Sequence, residues 1–153
     1  MNFKSRICGL SIACLFLLGC SGTLIPIVDI HDENPDRGLT LEQTTKAIKL
    51  GAATSGWLIE PISDNQMRAI YLIRKHQVTV MIDYSTDSYT IRYANSVHMK
   101  VKCGKQNDPT KPPQVTDGNH PCPGGVAPTF IHPKYNEWVK NLNNAINGAL
   151  AYS

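Results

Sequence analysis

Five histidines are the side chains of this sequence best suited to acid–base chemistry or metal binding: His31, His76, His98, His120 and His132. A histidine that activates a nucleophile must lie within hydrogen-bond reach of it, and separation along the chain does not reveal such a pair. The sequence contains no Gly-x-Ser-x-Gly elbow, no His-Glu-x-x-His pair and no glycine-rich phosphate loop. A hydrolase or metal-binding protein using His98, His120 and His132 is therefore the alternative hypothesis, behind a non-catalytic role.

Arginine and tyrosine side chains form a second group that could bind a partner. Arginine can contact an anionic glycan or a lipid headgroup, and tyrosine adds an amphipathic contact surface. The possible binding face consists of Arg68, Arg74, Arg92, Tyr89 and Tyr93. The ordinary interpretation of such charges is a solvated face of a sheet, and both interpretations are open at this point.

An apolar run near the N-terminus ends in Leu17-Leu18-Gly19-Cys20 and is preceded by Lys4 and Arg6. The run of residues 7–18 is too short to cross a bilayer comfortably, which takes about 20 residues. This pattern resembles the signal peptide and lipobox of bacterial lipoprotein precursors. An ordinary cleaved signal or a short membrane anchor is the alternative interpretation.

The resemblance implies that residues 1–19 are removed and that Cys20 becomes the lipidated first residue of the mature protein. Several acyl chains hold a protein on a membrane far better than one, so the membrane is an expected partner. Ser21, rather than aspartate, follows the cysteine. In the sorting rule of such lipoproteins this implies the outer membrane, and we expect the domain to face the periplasm.

Removal of the signal changes the composition of the protein. Taking 19 residues from 153 leaves 134, which is enough for one domain with its own core. Lys4 and Arg6 leave with the signal, so the formal net charge falls from +3 to +1. A nearly neutral domain offers no electrostatic basis for binding nucleic acid. The motifs present imply no cofactor.

Only two cysteines remain once the signal is removed and Cys20 is acylated: Cys103 and Cys122. In an oxidising periplasm they are expected to form a disulfide, which would tie the loop at about 103–122. A metal site using Cys103, His120 and Cys122 is the alternative. Structural zinc sites usually have paired ligands at both ends, and Cys103 stands alone.

The segment 20–38 has prolines and an acidic cluster but no sustained period, which predicts an acylated tether before a single domain of residues 39–153. The domain's N-terminal helix is predicted to begin at Thr40, because Thr40-Leu41-Glu42-Gln43 fits a capping box.

Alternating apolar residues predict strands after this helix. Residues 78–84 and 89–93 alternate on either side of a polar turn, which indicates an antiparallel hairpin. Residues 67–73 and 97–103 predict further strands. An apolar stripe from Tyr135 to Ala149 predicts a C-terminal amphipathic helix that buries Trp138. The predicted fold class is α+β, with an N-terminal helix, an antiparallel sheet of three to four strands, and the C-terminal helix packed on the sheet.

Several segments resemble small proteobacterial envelope lipoproteins of unassigned function: Arg74-Lys75-His76, the tyrosine-containing hairpin with Tyr89-Thr90-Ile91-Arg92-Tyr93, Ser96, and Ile131-His132 with Tyr135 to Leu142. The resemblance implies an envelope location and an α+β domain. The leading hypothesis is a membrane-anchored, non-catalytic binding or assembly factor with an envelope protein as its possible partner. A periplasmic hydrolase or metal-binding protein is the alternative.

Overall fold

The computed structural model describes residues 23–33, 38–104, 114–119 and 122–153. Over these residues the chain forms an α+β fold with two α-helices and two antiparallel sheets. In chain order the elements are β1 (Ile25–Pro26), β2 (Ile30–Glu33), α1 (Leu41–Thr54), β3 (Trp57–Ser63), β4 (Gln66–Ile73), β5 (His76–Tyr84), β6 (Ser88–Val97), β7 (Val101–Cys103), β8 (Val115–Thr116), β9 (Pro128–Ile131) and α2 (Lys134–Leu150). The predicted signal segment of residues 1–19, Cys20 and His120 lie outside the described residues. Neither described helix has the length and apolar character needed to cross a membrane.

A five-stranded sheet in the order β2-β6-β5-β4-β3 forms the main layer. Its centre is the hairpin of β5 and β6, in which Ile82 lies opposite Ile91. The alternation in the sequence places the apolar side chains of both strands on one face, where Val78, Val80 and Ile82 are fully buried. The sheet has more strands than the three to four predicted, because β2 adds to the edge beside β6.

The predicted tether of residues 20–38 is too long, because two short strands within it belong to the domain. β1 pairs with β9, and β2 pairs with β6, where Ile30 lies opposite Ile91. Ile27 and Ile30 also pack against the core. Strands of two and four residues are too short to show a detectable alternation. Pairing with distant strands decides their structure, and local pattern does not.

The smaller sheet, in the order β1-β9-β7-β8, lies around the disulfide. Cys103 and Cys122 are bonded to each other and both are buried, which confirms the predicted bond. The sequence predicts that residues 97–103 continue the preceding strand or form a further edge strand. In the structure β7 leaves the main sheet and pairs with β8 and β9. The chain changes direction at His98, whose φ is 55°.

Both helices contribute to a core against one face of the five-stranded sheet. α1 begins with the predicted capping box: the Gln43 N–H donates to Thr40 Oγ1, and the Thr40 N–H donates to Gln43 Oε1. Fully buried side chains from both helices and the sheet form the core: Ile48 from α1, Val80, Ile82 and Ile91 from the sheet, and Leu142 and Ile146 from α2. Trp138, which was predicted to be buried, is only half-buried.

The two helices pack in close contact at Gly51. A Cβ atom on this residue would lie 2.5 Å from the Cα atom of Ile146 and 2.6 Å from the backbone nitrogen of Ile146. Because the obstructing atoms belong to the backbone, no side-chain rotation could make room. The absence of a side chain at Gly51 therefore permits the observed spacing of α1 and α2.

Candidate functional site

The predicted Arg/Tyr binding face does not form one surface. Tyr89 is fully buried, and its hydroxyl lies within hydrogen-bond distance of Asn143 (2.6 Å) and Asn147 (2.7 Å) on α2. Tyr93 is on the same face of the sheet, with its ring 5.5 Å from that of Tyr135 on α2. The prediction that Tyr89 contributes to a binding face is wrong, because its side chain is fully buried. Tyr93 is half-buried and lines a small cleft beside Gly118 and Val126.

The arginines at positions 68 and 92 occupy the other face of the sheet. Arg68 pairs with Glu60 at 3.0 Å, and Arg92 pairs with Asp83. Burial raises the pKa of Asp83, but hydrogen bonds from Gln66 and Arg92 outweigh burial and leave the pKa lowered. Exposed ion pairs contribute at most about 1 kcal/mol. Strand alternation separates these arginines from the tyrosines, and their face is a solvated one.

The fifth predicted residue, Arg74, lies at a different place, on the rim of a cleft of about 900 Å³. Three histidines line the same cleft: His76, His98 and His132. They come from the start of β5, the segment after β6 and the residue pair before α2. We call this the histidine cleft. Two of the three histidines of the hydrolase hypothesis therefore line one cavity, and the third, His120, lies outside the described residues.

Two strained backbone positions lie in the histidine cleft. Arg74 and His98 both have φ of 55°, and they are the only non-glycine residues with positive φ among the described residues. The left-handed conformation costs a residue with a Cβ roughly 1 to 3 kcal/mol. At Arg74 the positive φ belongs to the two-residue loop of the β4–β5 hairpin, in which Ile73 pairs with His76.

Hydrogen bonds fix how the three histidine rings carry their protons. Nδ1 of His76 lies 2.7 Å from the carbonyl oxygen of His98, and a carbonyl can only accept, so this Nδ1 is the donor. Nδ1 of His98 accepts from the amide nitrogen of Asn119 at 3.2 Å. Nδ1 of His132 accepts from the backbone N–H of Lys134 at 3.2 Å. The neutral rings of His98 and His132 therefore carry their protons on Nε2, where each is a hydrogen-bond donor.

The charged lining of the histidine cleft is mainly basic. Arg74, Lys75, Lys100 and Lys134 contribute four positive charges, and Asp117 and Glu137 contribute two negative charges. Lys134 is paired with Glu137 at 2.7 Å, and Asp117 accepts hydrogen bonds from Asn119. Within the described parts of the chain, the other three cations form no ion pair. A cleft with this charge balance favours an anionic ligand.

An aromatic side chain completes the lining. Trp138 lines the cleft together with Met99 and Ile73. The indole ring is supported from behind by Tyr71 at a centroid distance of 5.3 Å, and Tyr71 in turn lies 5.1 Å from Trp57. Ligand pockets commonly combine such an apolar surface with a few placed polar groups. The half-buried position of Trp138, unexpected from the helix stripe, gives the cleft its apolar wall.

The described residues do not supply the metal site of the alternative hypothesis. No group of three His, Cys, Asp or Glu side chains in this part of the chain is arranged to hold a metal ion. Cys103 and Cys122 are bonded to each other, so neither provides a thiolate ligand. His120, the remaining member of that proposed site, is not among the described residues.

Comparisons of the chain with family models, with curated proteins and with solved structures found no match. Functional inference therefore depends on the geometry of the histidine cleft and on the sequence. The sequence does contain a signal for the cleft. At three element boundaries a histidine lies beside a cation: in Arg74-Lys75-His76, at His98 with Lys100, and at His132 with Lys134.

Proposed function

We propose that the mature protein is a lipid-anchored lipoprotein of the bacterial outer membrane that works as a non-catalytic binding factor in the periplasm. Its binding site is the histidine cleft, and its partner is an envelope molecule that carries negative charge. The observation that carries this proposal is the convergence of Arg74, Lys75 and Lys100 on one cleft without carboxylate partners among the described residues. The lipobox at Leu17 to Cys20 supports the anchored location.

The lining of the cleft favours binding over hydrolysis. The residues described around it include no serine, threonine or cysteine that could act as a nucleophile. Its carboxylates are engaged, Glu137 with Lys134 and Asp117 with Asn119. Nε2 of His76 could accept a proton, since Nδ1 of that ring is the donor, but the described lining offers no side-chain nucleophile for it to activate. In the neutral rings, Nε2 of His98 and of His132 is a donor, and donors suit recognition of an anion.

Replacing Cys20 with alanine tests the anchor. We expect Cys20→Ala to lose the acyl groups completely and to accumulate as uncleaved precursor or as protein without its lipid anchor, because the acylated sulfur is gone. Membrane fractionation with mass measurement of the intact protein would show this. Cys14→Ala, within the apolar run, is the matched control and should be processed normally. A correctly cut Cys20→Ala product that stays fully on the membrane would contradict the anchor.

A photo-crosslinking amino acid in place of Lys134 tests the binding role of the cleft. In intact cells we expect one reproducible crosslinked species from position 134, because this exposed residue lines the cleft and is not among the three cations proposed to hold the ligand. The same amino acid in place of Lys49, an exposed position on α1 outside the cleft, is the matched control. Gel shift and mass spectrometry would identify the adducts. Equal adducts from both positions, or none from position 134, would contradict a binding role for the cleft.

A further inference from the structure

We propose that the histidine cleft binds a phosphorylated sugar, with the phosphate held by Arg74, Lys75 and Lys100 and the sugar ring placed against Trp138. This inference rests on the proposed function and names the chemistry of the ligand for the same site. It draws on three features of the cleft: its donors, its aromatic wall and its size.

The donors match a phosphate better than a carboxylate. A phosphate monoester carries about −1.5 to −2 charges at neutral pH and presents three strong acceptor oxygens. Arg74 provides a planar fork of N–H groups, and Lys75 and Lys100 each provide an ammonium. The Nε2–H groups of His98 and His132 add two neutral donors to the same cleft. A single carboxylate, with one charge and two oxygens, would leave much of this donor set unused.

The remaining lining suits a hydroxylated ring. Trp138 offers a flat apolar surface against which the C–H face of a sugar can pack, and Tyr71 holds it in place. Asp117 and Glu137 already accept from Asn119 and Lys134, but a carboxylate has about four acceptor positions, so each can also accept from a sugar hydroxyl. These carboxylates would disfavour a ligand that is anionic throughout, such as a nucleic acid strand. A ligand with one anionic end and one neutral, hydroxylated end meets both parts of the cleft.

The size of the cleft favours a ligand larger than a bare anion. Its volume is about 900 Å³, at the upper part of the roughly 300 to 1,000 Å³ range that holds small organic ligands. Inorganic phosphate would occupy only a small part of this space and would leave the indole surface exposed to water. A sugar phosphate, alone or as the headgroup of a glycolipid, would cover that surface.

Calorimetric titration of the purified acylated protein in detergent micelles tests the ligand class. We expect glucose 1-phosphate to bind at least tenfold more tightly than glucose, glucuronate or inorganic phosphate. Quenching or a shift of tryptophan fluorescence should accompany binding and disappear in Trp138→Leu. Equal affinity for glucose 1-phosphate and inorganic phosphate, or for glucose 1-phosphate and glucuronate, would overturn the proposal. Micelles with and without lipid A, a phosphorylated glycolipid, then distinguish a membrane-bound source of the sugar phosphate from a soluble one.

Two variants place the phosphate in the cleft. Arg74→Gly and Lys100→Gln should each weaken binding of glucose 1-phosphate by at least tenfold. Arg74→Gly should keep or raise the melting temperature, because glycine adopts the positive φ at this position without strain. Lys49→Gln is the control matched to Lys100→Gln and should bind normally. Folded variants with unchanged affinity would overturn the assignment. A crosslinked partner at position 134 without sugar phosphate binding would overturn the ligand class and leave the binding role standing.

Discussion

Replacing Gly51 with alanine is expected to destabilise the protein by about 2 kcal/mol, because overpacking a tight core costs up to about 3 kcal/mol and the better helix propensity of alanine offsets about 1 kcal/mol of it. Alanine is the better helix former by about 1 kcal/mol, so in an exposed helix the same change would stabilise. Here the added Cβ would lie 2.5 Å from the Cα of Ile146 and 2.8 Å from the carbonyl carbon of Ala145. Only a shift of α1 away from α2 could relieve these contacts, and that shift would loosen the core around Ile48.

Urea unfolding followed by circular dichroism measures this loss, and Gly148 provides the matched control. Gly148 lies in α2, and nothing is within 4 Å of a Cβ built on it. Gly148→Ala should therefore gain roughly 0.5 to 1 kcal/mol from helix propensity alone. If Gly51→Ala were as stable as Gly148→Ala, the close contact of the helices would be wrong.

Removing the disulfide by the double change Cys103→Ala with Cys122→Ala is expected to cost on the order of 3 kcal/mol. The bond joins residues 19 apart, and in the chain-entropy model a loop of this size restricts the unfolded chain by about that amount. Both cysteines are also buried beside β7, so the alanines leave small gaps in the core. Thermal and urea unfolding without reductant would measure the difference.

Reductant supplies the control for this prediction. It should lower the stability of the wild-type protein by an amount close to that of the double variant, and should leave the double variant unchanged. A wild-type protein that is insensitive to reductant after full reduction of the bond, shown by titration of two thiols, would contradict a stabilising role.

The parts of the fold that local pattern controls could be predicted from the sequence. The alternation of Val78 to Tyr84 defines β5, the capping box at Thr40 marks the start of α1, and the apolar stripe defines α2. In each of these the neighbours that decide the structure lie within a few residues. The short strands β1 and β2 have partners on distant strands, so the sequence around them shows no local pattern and predicts a tether instead.

The candidate site was less accessible from the sequence, for two physical reasons. Tyr89 and Arg92 are three residues apart in a strand, and period-two alternation puts them on opposite faces. Residue types suited to binding one ligand therefore need not share a surface. The histidine cleft combines residues from separate chain segments, since His76, His98 and His132 meet only through the pairing of β5 with β6 and the packing of α2. Local patterns could indicate its charged turns but not their convergence.

The pairing of β1 with β9 also sets how closely the folded domain follows Cys20 along the chain. If Cys20 is acylated as proposed, five residue steps separate the lipid from Ile25, where the first strand begins. A fully extended chain covers at most about 3.5 Å per residue, so the segment from Cys20 to Ile25 spans less than about 18 Å. The domain would thus work within its own diameter of the bilayer surface. Such a short linking segment suits a protein that binds its ligand at the lipid headgroups. It would not allow the domain to reach ligands deep in the periplasm.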